Sequence, residues 1–504
     1  MKKQLELLER MYEQLLEIRQ TVDEEGRQLY ESWDPSTMRE DFEASAENLA
    51  HYIILRRYDL RELQTHLADF GFSSLGRLEG HVMTTLNNVI INIATILKKF
   101  SDEEDEEHYP ISNQIGQEKL DENTEDIFGP PNLDRYSHIM VTMPLEAAED
   151  PDFVKELVEN GMETARVNSA HDGPKEWKKM IENIQAASEE LDQPVQLFFD
   201  IPGPKIRIDG LYTTLQNPKV KTGDTFFITS QEELKDFYDH EIVLRVEQAE
   251  LISLLEEGET VSMDDGEVVG KVHEVYPEGV SVKVEQLQKT KGQKIKATKG
   301  INFTDREIDI DIITETDKEN IDFIKDYDAV LGFSFVQTPE DIQTIQSYLQ
   351  EVYGERASDI PICIKVETQG AFKHLPRIIV EANRYQPCSL MIARGDLAVE
   401  VGYLRLSEVQ EEILWFAEAS NTPVIWATQV LESMSKKGIP TRAEITDATM
   451  AGRAEVVMLN KGKYIPESVQ LLDQILVDSS KHMMKKTALF RSLDVAHHVI
   501  QEEN

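Results

Sequence analysis

Eight short apolar runs between residues 137 and 460 limit what this chain can fold into more than any other feature of its sequence. They are rich in β-branched and other apolar residues, and every run except the third is followed by amphipathic helical sequence. Apolar strands that alternate with helices are typical of parallel sheets, and eight such units are typical of a TIM barrel. The runs are residues 137–143, 162–168, 194–200, 328–335, 360–366, 389–395, 423–428 and 455–460.

The third run leads into residues 208–298, where short strand-like runs are separated by turn signals such as Asp265-Gly266 and Glu278-Gly279. We therefore predict an α/β fold: a TIM (β/α)8 barrel with an inserted small β-barrel lid domain and an N-terminal helical extension. The predicted boundaries are 1–100 for the helical extension, 101–131 for an acidic linker, 132–207 and 299–484 for the two barrel parts, 208–298 for the lid and 485–504 for a C-terminal tail.

The helical extension contains a short heptad-like seam with alternating spacings of three and four. The seam residues are Leu8, Met11, Leu15, Ile18 and Val22. This pattern fits a helix that packs on its own domain and fits an oligomer contact equally well. Residues 101–131 are acidic and polar, which indicates a linker or a loosely ordered segment.

The charge balance excludes several classes of partner. The chain has 94 acidic and 52 basic side chains, a formal net charge of −42, which repels nucleic acid and anionic membranes. An anionic metabolite would also be repelled unless basic groups cluster at its site. The sequence has no apolar run long enough to span a bilayer, no secretory signal at its start and only two cysteines. These features predict a cytoplasmic protein without a disulfide scaffold.

Active sites of TIM barrels lie at the C-terminal ends of the strands. Polar residues at these positions are Arg166 and Asn168 after run two, Asp200, Lys205 and Arg207 after run three, Lys365 and Glu367 after run five, Arg394 and Asp396 after run six, and Thr428 and Gln429 after run seven. Glu367 and Asp396 are suited to Mg²⁺, which keeps waters and bridges one or two carboxylates to phosphate oxygens. A single lysine here could be a solvated side chain, and a single carboxylate a helix cap. Five strand ends with this composition indicate phosphoryl transfer.

Six segments of the chain carry distinctive motifs: GMETARVNSAHDG, DIPGPKIR, KGINF, ICIKVETQG, MIARGDLAVE and WATQVLESMSKKGIPTRAEITDA. They resemble the successive signatures of the pyruvate kinase family, in the same order and spacing. The chain has no GxxxxGK or GxGxxG motif that would indicate another nucleotide-binding fold. The resemblance implies an Mg²⁺-dependent phosphotransferase that acts on phosphoenolpyruvate and ADP.

The resemblance also implies roles for individual residues. Lys365 would stabilise the transferring phosphoryl group, and Thr428 would lie near the enolate carbon that is protonated to pyruvate. Glu367 and Asp396 would bind Mg²⁺, Arg166 the substrate phosphate, and Gly395 and Asp396 the substrate carboxylate. Arg207 would contact phosphates nearby, and Lys299 would contact the nucleotide. Asp264-Asp265-Gly266 would form a turn at the tip of the lid.

The sequence departs from the family at the potassium site, which the family builds from Asn, Ser, Asp and a backbone carbonyl. Asn168, Asp200 and the carbonyl of Ile201 remain, whereas Ala170 stands in place of the serine. Lys205 occupies a position that is glutamate in potassium-dependent members and lysine in potassium-independent ones. We therefore expect Lys205 to supply the missing positive charge in this loop and K⁺ not to be required.

Three further departures keep other functions open. The loop at residues 460–463 is shorter than the family's Ser-Gly-Glu-Thr loop, VTMPLEA replaces the first-strand Thr-Ile-Gly-Pro, and no C-terminal regulatory domain of the family type is expected. The alternatives are a catalytically impaired, pyruvate-kinase-like protein that binds phosphoenolpyruvate or a partner, and another barrel enzyme that uses phosphoenolpyruvate. We also expect a homo-oligomer, formed through the N-terminal helices or the barrel.

Overall fold

The computed structural model describes residues 2–99, 113–130, 134–264, 266–289, 291–306, 310–485 and 487–488. Its first five helices are α1 (Lys2–Glu31), α2 (Glu40–Leu55), α3 (Arg61–Asp69), α4 (Val82–Leu97) and α5 (Asn113–Phe128). The apolar seam of α1 is buried against α2 and α4, with Leu15 and Val22 both 0% exposed. The seam therefore stabilises its own domain, and the prediction that it could serve as an oligomer contact is wrong.

Eight parallel strands form a closed barrel, which confirms the predicted fold class. Around the ring the order is β1-β17-β16-β15-β14-β13-β3-β2. The strands are β1 (His138–Thr142), β2 (Thr164–Asn168), β3 (Gln196–Ile201), β13 (Val330–Phe333), β14 (Ile362–Val366), β15 (Cys388–Ala393), β16 (Val424–Ala427) and β17 (Val456–Leu459). The register pairs Asn168 with Asp200 and Lys365 with Met391, so the C-terminal ends of neighbouring strands lie level.

Helices cover the outside of the barrel and bury the strands between two apolar layers. They are α6 (Glu146–Glu149), α7 (Pro151–Glu159), α8 (Pro174–Leu191), α9 (Glu315–Ile324), α10 (Pro339–Tyr353), α11 (Gln369–Lys373), α12 (Leu375–Asn383), α13 (Arg394–Val401), α14 (Tyr403–Ala419), α15 (Glu432–Lys437), α16 (Arg442–Ala451) and α17 (Ile465–Ser480). Among the described residues, none of the helices has the length and apolar character needed to cross a membrane.

The insertion after β3 is a separate β domain with its own apolar core. Seven of its strands form one sheet in the order β12-β8-β9-β10-β6-β7-β4, and β5 pairs with β11. The strands are β4 (Ile208–Thr213), β5 (Lys219–Val220), β6 (Thr225–Thr229), β7 (Ile242–Val246), β8 (Thr260–Met263), β9 (Val268–Tyr276), β10 (Gly279–Leu287), β11 (Gln293–Lys294) and β12 (Ile301–Phe303). The two chain segments that join it to the barrel lie side by side, since Arg207 and Gly300 form an antiparallel bridge.

The predicted acidic linker contains α5, so residues 113–128 are helical and not loosely ordered; residues 101–112 lie outside the described residues. Ile127 and Phe128, at the end of α5, are 1% and 2% exposed and belong to the core inside the barrel. The helix is therefore anchored by two apolar side chains at one end. At the other end of the chain Met483–Met484 and Thr487–Ala488 pair as β18 and β19, and the rest of the predicted tail lies outside the described residues.

The N-terminal domain is attached to the barrel through α14. The amide of Asn48 donates to the carbonyls of Glu79 at 2.7 Å and Ala419 at 2.8 Å, and its oxygen accepts from the Val82 N–H at 2.9 Å. The guanidinium of Arg56 lies 4.5 Å from the ring centre of Trp415, a cation–π contact across the same interface. Because Asn48 is only 6% exposed and fully bonded, this interface orients the extension on the barrel.

Candidate active site

A chain of buried charges crosses the mouth of the barrel. Arg166 donates from Nε to Oδ2 of Asp200 at 2.8 Å and from Nη1 to Oγ1 of Thr142 at 2.8 Å. Nζ of Lys365 lies 3.2 Å from Oδ1 of Asp200 and 3.0 Å from Oε1 of Glu367. The four charged side chains are buried, the most exposed at 8%, and two cations offset two carboxylates.

The surroundings shift the pKa of three of these groups. Burial alone would raise the pKa of the Asp200 carboxyl, but Lys365 and Arg166 outweigh it and lower the value. Burial works against the charge of Lys365, but Asp200 and Glu367 raise its pKa to about 12. Burial raises the pKa of Glu367, and the nearby Asp396 adds to this against the attraction of Lys365. Glu367 would therefore be stabilised by a further cation, such as a bound metal ion.

Asp396, the second predicted metal ligand, lies in the first turn of α13. Nζ of Lys205 lies 2.9 Å from its Oδ1, and both side chains are 19% exposed. Glu367 and Asp396 are therefore each held by a lysine, one buried and one at the rim. Among the described residues there is no group of three or more His, Cys, Asp or Glu that could hold a metal ion. A pair of carboxylates still fits Mg²⁺, which takes its other ligands from waters and substrate oxygens.

The structure brings Lys205 to Asp396, whereas the sequence suggests a position beside Asn168 and Asp200. Oδ1 of Asn168 instead accepts from the N–H of Ala170 at 3.0 Å. The carbonyl of Ile201 accepts from Oγ of Ser334 at 2.8 Å. Three of the groups expected around a monovalent cation are thus engaged within the chain, since Asp200 pairs with Arg166 and Lys365.

Thr428 lies next to the first turn of α13 in a backbone conformation that β-branched residues rarely adopt, with φ of 66°. A Cβ on Gly395 would lie 3.8 Å from its methyl group and 3.9 Å from its hydroxyl, so the helix start and Thr428 are neighbours. Within the described part of the chain, Oγ1 of Thr428 is buried and has no hydrogen-bond partner. An unpaired buried hydroxyl in a strained segment is a common property of functional sites.

Arg394, which the sequence places among the strand-end cations, has a structural role. Its Nε donates to the carbonyl of Ala427 at 2.9 Å, and its guanidinium pairs with Asp447 and lies 4.9 Å from the ring centre of Trp426. Arg394 thereby holds the backbone that leads into Thr428. It adds no free charge to the site.

The lid contributes the remaining predicted residues. Nζ of Lys299 lies 2.6 Å from Oδ1 of Asp264 in the predicted lid-tip turn, while Asp265 of that turn lies outside the described residues. Arg207 donates to the carbonyl of Thr298 at 3.4 Å. A Cβ on Gly266 would lie 3.5 Å from Val399, so the turn lies against α13.

Three residues at the site are not among the predicted site residues. Ser334 accepts from Nζ of Lys365 at 2.6 Å and so completes the surroundings of the buried lysine. His171 has a pKa lowered first by burial and then by Lys461, with Arg207 and Arg166 adding to this against Asp172. Lys461 belongs to the shortened loop after β17, so this loop brings a cation to the mouth. All three lie directly after barrel strands, namely β2, β13 and β17. This position is the signal in the sequence that could have identified them as site residues.

A sequence model described as "Pyruvate kinase, barrel domain" matches residues 134–469, about two thirds of the chain. The chain belongs to the pyruvate kinase family. This confirms the predicted family and its class, a phosphotransferase of the pyruvate kinase type, at the level of the family.

Curated members of the pyruvate kinase family are similar over the same region. The "Pyruvate kinase" of Thermotoga maritima is 29% identical over 350 residues, which cover 68% of this chain and 70% of the relative. That of Thermococcus litoralis is 30% identical over 336 residues, 65% of this chain and 66% of the relative. That of Kluyveromyces lactis is 30% identical over 351 residues, 68% of this chain and 66% of the relative. The chain therefore spans about two thirds of the length of these relatives, and the N-terminal helices lie outside the matched family domain.

Proposed function

We propose that this chain transfers a phosphoryl group from phosphoenolpyruvate to ADP, giving pyruvate and ATP, and that Glu367 and Asp396 hold the Mg²⁺ the reaction needs. The proposal depends above all on this carboxylate pair, in which each member lies within 3.0 Å of a lysine at the barrel mouth. Mg²⁺ would supply charge neutralisation at the phosphate oxygens of both substrates.

The buried cations would act on the transferring group. Lys365, with a pKa of about 12, stays protonated and can neutralise the charge that develops on the equatorial phosphoryl oxygens. Arg166 is held by Asp200 and Thr142, which orients its guanidinium for the substrate phosphate. The free N–H groups at Gly395 and Asp396 would bind the substrate carboxylate.

Loss of the phosphoryl group leaves an enolate that must gain a proton on its terminal carbon. Thr428 is the residue we assign to this step, because its hydroxyl is buried beside Gly395 and has no hydrogen-bond partner within the described residues. The hydroxyl would orient the proton donor toward the carbon. The left-handed backbone at Thr428, fixed by Arg394, keeps it in place.

The nucleotide would bind between the barrel mouth and the lid. Lys299 and Arg207 belong to the two segments that join the lid to the barrel, and Lys461 and His171 lie on the barrel side. Basic groups on both sides could neutralise the phosphates of ADP in a chain that is otherwise strongly acidic. Lys299 would leave Asp264 when it binds the phosphates of ADP.

We further propose that turnover needs no potassium, for a reason that differs from the one the sequence suggests. Asp200, which would be the charged ligand of K⁺, is already neutralised by Arg166 and Lys365. The Ile201 carbonyl is bonded to Ser334, and Ala170 provides no side-chain oxygen. The charge of Lys205 would instead be available at Asp396, at the rim of the site.

A coupled assay for pyruvate formation from phosphoenolpyruvate, ADP and Mg²⁺ tests the proposal directly. We expect turnover that requires all three components and that Glu367→Gln abolishes. Binding of phosphoenolpyruvate without pyruvate formation would favour the impaired, pyruvate-kinase-like alternative. Pyruvate formation that does not depend on ADP would favour another class of phosphoenolpyruvate-using enzyme. A cytoplasmic location and a homo-oligomer remain predictions, the latter now through surfaces other than the α1 seam.

A further inference from the structure

Phe335, in the loop after β13, has a backbone conformation that is unusual for a bulky residue. Its φ is 62°, in the left-handed region that residues with a Cβ rarely adopt. The ring is half-buried and, like Lys205, lines a cavity of about 670 Å³ beside the segments that join the lid to the barrel. Backbone strain of this kind persists only where the surrounding structure imposes it, and it is common at functional sites.

The backbone of Phe335 contacts the first predicted metal ligand. Its N–H donates to Oε2 of Glu367 at 2.8 Å, and the other oxygen of this carboxylate, Oε1, lies 3.0 Å from Nζ of Lys365. Glu367 is 3% exposed, so these two donors hold its oxygens in a place with little access to water. The left-handed backbone is needed for this contact, because rotation about the N–Cα bond of Phe335 would turn the N–H away from the carboxylate.

The ring of Phe335 contacts the lysine that pairs with the second predicted metal ligand. Nζ of Lys205 lies 5.6 Å from the ring centre, within the range of a cation–π contact. The same Nζ lies 2.9 Å from Oδ1 of Asp396. Phe335 is therefore linked to Glu367 through its backbone and to Asp396 through Lys205.

Both sequence neighbours of Phe335 are fixed by contacts of their own. A Cβ on Gly203 would lie 2.6 Å from the carbonyl oxygen of Ser334, so the loop after β3 packs tightly against this carbonyl. On the other side Val336 is 0% exposed, and its carbonyl accepts from Oγ1 of Thr368 at 3.2 Å. The fold therefore holds the left-handed conformation of Phe335 from both sides.

We propose that Phe335 is a positioning residue for the metal site, in which the left-handed backbone directs the N–H to Glu367 and the ring keeps Lys205 beside Asp396. The assignment rests on the proposed function only in taking Glu367 and Asp396 as the ligands of Mg²⁺. Removing a group that orients a metal ligand typically weakens metal binding or activity about 10–100-fold. A ring that only filled space would instead be replaced best by another apolar side chain.

Two replacements of Phe335 separate its backbone from its ring. Phe335→Gly and Phe335→Val both remove the ring, but glycine adopts the left-handed region freely, whereas β-branched valine resists it. Phe335→Tyr keeps the ring and is the conservative variant. Tyr238→Val is the matched control, because Tyr238 is also an aromatic residue in the left-handed region, with φ of 54°, and stacks on Tyr276 of the lid.

The probe is Mn²⁺, added to the full chain without substrates, and the EPR signal of the free ion gives the unbound concentration. Glu367→Gln shows how much Mn²⁺ binds at the proposed site. We expect Phe335→Tyr and Tyr238→Val to bind Mn²⁺ like the native chain. Phe335→Val should bind about tenfold or more weakly, and Phe335→Gly less than about fivefold more weakly, the loss expected for one cation–π contact. If Phe335→Val does not fold, Phe335→Ala replaces it and should still bind more weakly than Phe335→Gly, because alanine also resists the left-handed region.

The assignment is overturned if Phe335→Val binds Mn²⁺ as well as Phe335→Gly or better, because the residue would then only fill space. It is also overturned if Tyr238→Val weakens binding as much as Phe335→Val does. Unchanged Mn²⁺ binding in Glu367→Gln would overturn both this assignment and the metal site of the proposed function. A chain that shows the expected order of Mn²⁺ affinities but forms no pyruvate would refute the proposed phosphoryl transfer alone.

Discussion

Replacing Lys365 by methionine is the sharpest test of the charge network at the barrel mouth. The substitution keeps the length of the side chain and removes one charge that lies 3.0 Å from Glu367 and 3.2 Å from Asp200. Both carboxylates are almost fully buried, at 3% and 1% exposed, and Arg166 would be the cation left in the buried network. The pKa of Asp200, which Lys365 and Arg166 now lower, would rise.

The size of the effect follows from this geometry. Removing one partner from a buried ion pair costs about 3–5 kcal/mol of stability, because the other charge stays buried and unpaired. Removing a preorganised positive group from the transferring phosphoryl group should slow that step about 10²–10³-fold. Protonation of the enolate uses Thr428 and should slow by less than about tenfold.

Two assays separate these effects. The coupled assay measures phosphoryl transfer, and proton NMR in deuterium oxide measures exchange at the methyl group of bound pyruvate. Urea unfolding gives the stability loss, and Lys318→Met, which removes an exposed lysine of α9 that pairs with Glu315, serves as the control. Equal losses in both reactions, with pyruvate still bound, would refute the role assigned to Lys365.

Three further predictions test the remaining groups. Glu367→Gln should lower Mg²⁺-dependent turnover at least about a hundredfold with an unchanged circular dichroism spectrum, because it removes one of two charged metal ligands; near-normal turnover at saturating Mg²⁺ would contradict the assignment. Activity at matched ionic strength should agree within about twofold in sodium, tetramethylammonium and potassium salts, because Asp200 is neutralised within the chain; strong activation by K⁺ would contradict this. Burial raises the pKa of the Glu400 carboxyl from 4.5 to about 7. Between these two pH values the folded state therefore binds more protons than the unfolded state. The free energy of unfolding that Glu400 contributes below pH 4.5 should fall by up to about 3 kcal/mol as the pH rises through 7. Urea unfolding at pH 5 and pH 8 should show this loss in the native chain and little of it in Glu400→Gln, and an equal loss in both would exclude Glu400 as its source.

The barrel and most of its active-site residues could be predicted because their signals are local in the sequence. Each barrel strand is an uninterrupted apolar run, and the ends of parallel strands meet in any closed barrel. The insertion was harder to predict, since β9 alternates buried and exposed positions in only part of its length. The turn signals therefore predict a small β domain but do not give the bounds of most of its strands.

Contacts between distant segments could not be predicted in this way. The position of Lys205 depends on α13, which lies 191 residues further along the chain. The acidic composition around α5 conceals Ile127 and Phe128, whose burial depends on a barrel interior formed by other strands. The neutralisation of Asp200 likewise depends on Lys365 from a strand that is not its sequence neighbour. Such pairings are set by the tertiary fold and have no local periodicity.

The position of Phe128 has a consequence for the order in which the molecule can be assembled. Phe128 belongs to a core cluster that also contains residues of β1, β3 and β13–β17, including Val456 of the last barrel strand. A ribosome makes the N-terminal helices first, but the site that receives the end of α5 exists only after the final strand has closed the ring. We therefore expect α5 to dock late in folding, since contacts of such long range form slowly. Pulsed hydrogen exchange during refolding should show protection of α5 after that of α1 and α2, and simultaneous protection would contradict this order.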